Sequence, residues 1–94
     1  MLVMRNRFVC KPGNASKFAA KLKDAIAVAK IGKHRVLTDV TGEFNQVILE
    51  SELKDLVEFD AMLKEYETSA PLREKFKGYT EFWERGNREI FQVM

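Results

Sequence analysis

The sequence predicts an α+β domain of ferredoxin-like order, β-α-β-β-α-(α)-β, an antiparallel sheet with its helices on one face. Three observations predict it. Apolar residues alternate along four short stretches and recur at helical spacing along others, and Gly or Pro punctuates the junctions. The composition, 46% hydrophobic and 32% charged over 94 residues, is that of a globular chain. The length allows one domain, residues 1–94, with no room for a separate catalytic unit.

The elements follow in order. Residues 2–10 (LVMRNRFVC) read as a strand, stopped by Lys11-Pro12-Gly13. Asn14 then offers a cap to a helix over 14–31, on which Phe18, Leu22, Ala25, Ile26 and Ala29 share a face. Gly32 suits its end. Residues 34–41 and 44–51 read as a hairpin around Gly42-Glu43. With Ser51 as cap, Leu56, Phe59, Leu63 and Tyr66 mark a second amphipathic helix over 53–68. Pro71 opens a further helical stretch in which Leu72, Phe76, Tyr79 and Trp83 keep helical spacing. Gly78 is its weak point, costing about 1 kcal/mol against Ala. Gly86-Asn87 ends that stretch, and residues 88–94 read as the last strand.

Several function classes are excluded by expectation. No run reaches the roughly 18 apolar residues of a membrane span. Arg5 and Arg7 interrupt the apolar N-terminus, against a signal peptide. The single cysteine, Cys10, forms no internal disulfide, and a cytoplasmic location is the simplest expectation. One Cys and one His do not make a zinc site, so no metal is expected. The net charge of +2 conceals a split: residues 1–35 carry nine bases and one acid, and residues 36–94 carry seven bases and thirteen acids. Lysines of the first helix facing Asp55, Glu58 and Glu65 of the second account for it. The RNA-binding strand signature is missing, so no nucleic-acid partner is expected.

Alternation sorts each strand into two faces. The set Met4, Phe8, Val36, Val40, Val47, Leu49, Phe91 and Val93 is the more apolar and is expected to face the helices. The opposite set mixes Val3, Val9, Leu37, Phe44, Ile48 and Ile90 with Arg5, Arg7, Arg35, Asp39, Gln46, Glu50, Arg88 and Gln92. Water alone seldom faces so many large apolar side chains, and buried charges need partners of opposite sign. Sheet-to-sheet homodimerisation, with a structural ion-pair network in its interior, is therefore expected.

The opening Met4-Arg5-Asn6-Arg7-Phe8-Val9-Cys10-Lys11-Pro12-Gly13, followed by an amphipathic helix, resembles the dimeric α+β barrel superfamily. It is most similar to the antibiotic-biosynthesis-monooxygenase-like group. The closing Gly86-Asn87-Arg88-Glu89-Ile90-Phe91-Gln92-Val93 also resembles the last strand of that superfamily, including NIPSNAP-like proteins. The resemblance implies a ligand cavity between sheet and helices. Haem-degrading members use a first-strand Asn, a helix Trp and a His; Asn6 matches the first. Met62 stands at the Trp position, and no His lies around residues 73–76, so haem degradation is not expected.

Four residues are candidates for ligand binding. Asn6 is an amide among apolar neighbours, able to polarise a bound oxygen or to bridge the backbone in the core. His34 begins its strand between Lys33 and Arg35, where a general base at the cavity rim would sit. Tyr79 and Trp83 are core aromatics by default, yet their polar tips can line a cavity for a flat molecule. The resemblance implies a small monooxygenase-like protein holding an aromatic molecule that itself activates oxygen, with no cofactor. The alternative is a non-enzymatic homodimeric module that binds a metabolite or a protein partner.

Overall fold

The computed structural model describes residues 1–94. It comprises β1 (Leu2–Cys10), α1 (Ala15–Val28), β2 (Lys33–Thr38), β3 (Gln46–Leu53), α2 (Leu56–Thr68), α3 (Ala70–Phe76), a single 3₁₀ turn (Tyr79–Glu81) and β4 (Trp83–Gln92). The strands form one antiparallel sheet in the order β2-β3-β1-β4. This is the ferredoxin-like α+β order expected from the sequence. The helices cover one face, giving a two-layer slab of 36 × 34 × 19 Å.

The core lies between the layers in two groups. Phe18 and Leu22 of α1 are fully buried against Cys10, Val47 and Leu49. Leu2, Met4 and Leu53 close around Met62 of α2. Full burial of each such side chain stabilises by roughly 1.5–3 kcal/mol. Burial also pushes the Cys10 thiol up from its ordinary value, so Cys10 behaves as a small hydrophobe.

The helix ends differ from expectation for chemical reasons. β3 runs on through Ser51 to Leu53, and Asp55, not Ser51, caps α2 by accepting from the Glu58 amide at 2.9 Å. Glu58 in turn accepts from the amide of Lys54, so the two acids satisfy one amide of the first turn and one just ahead of the cap. The expected pairing of α1 lysines with α2 acids does not form. Glu65 instead accepts from the backbone amides of Lys30 and Ile31, tying α2 to the chain that leaves α1.

The last third carries the largest corrections. The helix opened by Pro71 stops at Phe76, because Gly78 takes a left-handed conformation at φ 76°. Trp83, at helical spacing from Tyr79, instead begins β4, five residues before the expected start. Asn6 pairs with Arg88, and Met4 with Ile90. Arg88 and Ile90 therefore lie on the covered face, and Phe91 on the open one, the reverse of the expected assignment. A one-residue change of phase moves every side chain of a strand to the other face. Val40 and Phe44 are on neither face; both project from the β2–β3 loop into solvent.

The open face carries an alternating charge row. Arg35, Glu50, Arg5 and Glu89 stand opposite one another across all four strands. Glu50 accepts from Arg5 Nε at 2.8 Å and from Arg35 Nε at 2.7 Å, and Arg7 bonds Glu89. Glu50 is only 4% exposed. Burial pushes its carboxyl up, but the two guanidiniums outweigh burial and hold it below its ordinary 4.5. Arg5 also lies over the Phe91 ring. Asp39, expected to share this role, makes no ion pair.

Candidate functional site

A cavity of about 640 Å³ opens between the β1–β4 half of the sheet and α2–α3. Its apolar wall is aromatic. Tyr66 meets Phe76 at 5.4 Å between ring centroids, Phe76 meets Tyr79 at 5.7 Å, and Tyr79 meets Trp83 at 6.2 Å. Phe8, edge-on to Phe18, completes the wall beside Trp83. The sharp exit at Gly78 turns the chain from α3 into the 3₁₀ turn, so that Phe76, Tyr79 and Trp83 line one space although three elements supply them.

The floor is built by β1 and β4. Asn6 Oδ1 accepts from Arg88 Nε at 2.8 Å. Because guanidinium only donates, this bond fixes the amide and leaves Asn6 Nδ2 as a donor. The Arg88 guanidinium lies over the Phe59 ring at 5.7 Å. Gly86 faces Phe8 across the strands. A Cβ there would stand 2.7 Å from the Arg7 carbonyl oxygen and 3.3 Å from the Phe8 ring, so the floor stays thin only with glycine.

Two polar atoms at this site are buried without a hydrogen-bond partner, Tyr66 Oη and Trp83 Nε1. Buried donors are usually satisfied, and each that is not costs roughly 1–3 kcal/mol. Burial, followed by the charge of Glu65, pushes the Tyr66 phenol up to about 12 against a smaller opposing effect of Arg88. Tyr66 is therefore a neutral donor at physiological pH. Arg73 and Lys77, both exposed, line the outer rim.

Of the candidate residues, Asn6, Tyr79 and Trp83 line this cavity together and His34 does not. His34 Nε2 lies 2.7 Å from the Ile31 carbonyl, and its Nδ1 lies 2.7 Å from Ser51 Oγ. A carbonyl only accepts, so Nε2 carries the proton. With both nitrogens engaged, the ring joins the α1–β2 turn to β3. Arg88, which the sequence alone placed in the ion-pair network of the open face, lies in this cavity instead. Tyr66 was legible as a helix-face aromatic, and its orphaned hydroxyl was not. The residues present do not suit haem: Met62 is fully buried among Leu2, Met4 and Leu53, and no histidine lines the cavity.

Fold and cavity together define a ferredoxin-like α+β domain with an aromatic-walled pocket. No family model matches the sequence, and no curated protein matches it. Solved structures share its fold. An uncharacterised NIPSNAP domain protein from Burkholderia xenovorans aligns with a TM-score of 0.84 at 15% identity, covering 100% of this chain and 95% of that one. A NIPSNAP family protein from Agrobacterium tumefaciens aligns at 0.84 and 11% identity, covering 99% and 92%. A proposed antibiotic biosynthesis monooxygenase from Chloroflexus aurantiacus aligns at 0.78 and 8% identity, covering 99% and 92%. These likenesses are of fold.

Proposed function

We propose that this chain is a monooxygenase-like protein that binds a small aromatic molecule in the cavity between sheet and helices. The carrying observation is that the cavity stays open down to Asn6 instead of being filled by Phe and Met side chains. Its volume of about 640 Å³ falls within the range of small-molecule sites. Tyr66, Tyr79 and Trp83 line it with aromatic rings, which suit a flat molecule. The likeness to a proposed monooxygenase suggests the reaction. An electron-rich aromatic CH₂ would take one oxygen atom of O₂ as C=O and release the other as water, supplying the electrons itself.

The working unit in this reading is a homodimer, joined through the open face. Val3, Val9, Leu37 and Ile48 are half-buried there, and Phe91 is 44% exposed. The compensated charge row allows the face to be covered without an unpaired charge. Light scattering is expected to give twice the 10.9 kDa chain mass. Oxygen uptake with an anthrone-type probe tests the reaction. Uptake by the wild type that falls at least about tenfold in both Asn6→Ala and Trp83→Phe supports the reading. Absence of uptake, or uptake unchanged in both variants, overturns the enzymatic part.

A further inference from the structure

We infer that the ligand is an aromatic anion, its negative group held by Arg88 and Asn6 at the floor of the cavity and its approach favoured by Arg73 and Lys77 at the rim. This deepens the reading above and rests on it. The first argument is hydrogen-bond inventory. Asn6 Oδ1 is already taken by Arg88, which leaves Nδ2 free. The guanidiniums of Arg73 and Arg88 and the Lys77 ammonium, all lining the cavity, only donate. No Asp or Glu lines the cavity. A ligand that brings acceptors satisfies these groups, and a carboxylate brings about four lone pairs at once.

The second argument is charge. The chain compensates its arginines elsewhere: Arg5, Arg7, Arg35 and Arg85 each meet a carboxylate. The two remaining arginines, Arg73 and Arg88, meet none, and both line one cavity beside Lys77, which is unpaired like every lysine but Lys64. Arg88 lies over Phe59 and is bonded to a neutral amide; the residue is exposed, and its charge has no counter-ion within the protein. Glu65, the acid whose charge acts on Tyr66, is engaged by two backbone amides. A charge-assisted bond to Arg88 is roughly twice as strong as a neutral one.

The test uses the full chain and its single tryptophan. The indole N–H of Trp83 gives one resonance in a nitrogen–proton correlation spectrum. Naphthoate and naphthamide are titrated against it, two probes of similar shape of which only the first is charged. Naphthoate is expected to bind at least about tenfold more tightly. That preference is expected to fall to near unity in Arg88→Gln and to shrink in the Arg73→Gln/Lys77→Gln pair, whose exposed side chains are not part of the core. Equal binding of the two probes overturns the anionic assignment and leaves the aromatic cavity standing. An undiminished preference in every variant overturns the residue assignment. If neither probe moves the Trp83 resonance, both this inference and the reading it rests on fail.

Discussion

The two faces of the sheet treat charge in opposite ways. On the open face every arginine of the row meets an acid, and Glu50 is shared between two of them. On the covered face Arg88 meets only a neutral amide and an aromatic ring. The same strands carry both patterns, since alternate residues point to opposite sides. Compensated charge is what a structural network needs, whereas charge held without a counter-ion beside a cavity is available to a ligand. The contrast separates framework from site more sharply than burial does, because both faces contain half-buried residues.

Neighbouring substitutions test the contrast most strongly. Met4→Ala, on the covered face, is expected to cost about 2–5 kcal/mol in urea unfolding. Val3→Ala, one residue away on the open face, is expected to cost about 1 kcal/mol or less in the monomer. Equal losses at protein concentrations where the chain is monomeric would mean that the open face is as tightly packed as the core, whereas a larger Val3→Ala loss only where the dimer persists would follow from the proposed interface.

Glu50→Gln comes next, at about 1–3 kcal/mol, since it leaves Arg5 and Arg35 facing a neutral group. Its pH dependence has a defined sign. The folded carboxyl titrates below 4.5, so its contribution is complete above that value and is lost as pH falls through the lowered one. The gap between wild type and variant in chemical unfolding is expected to close on acidification.

Tyr66→Phe is the smallest change. It removes a hydroxyl that has no partner, so stability near neutral pH is expected to stay within about 1 kcal/mol or to rise. A loss well above that would reveal a partner for the hydroxyl. At high pH the unfolded phenol ionises near 10 and the folded one near 12. Wild-type stability is therefore expected to decline as pH rises between those values, and this part of the decline is expected to vanish in the variant.

The fold was legible in the sequence where period and punctuation agreed. Phe18, Leu22 and Ala25 announce α1, and Lys11-Pro12-Gly13 announces the end of β1. Legibility failed where they conflicted. Leu72, Phe76, Tyr79 and Trp83 keep helical spacing across Gly78, yet the left-handed glycine ends the helix and Trp83 enters a strand. In β4 both alternating sets contain apolar residues, so pattern alone gave no phase. Pairing with β1 sets it and carries Arg88 to the covered side. Asn6 was visible as a polar residue in an apolar set. Its Arg88 partner, 82 positions away, depends on that register.

Gly86 carries a consequence for change over time. It sets cavity depth by contributing no side chain, and even one methyl there would press on the Arg7 carbonyl and the Phe8 ring. The scaffold thus has little freedom to adapt to smaller ligands from below. Its adjustable boundary is the rim, where Arg73 and Lys77 can be exchanged at little cost to the core. New specificities would be expected to arise first as altered charge at the entrance, with the depth inherited unchanged.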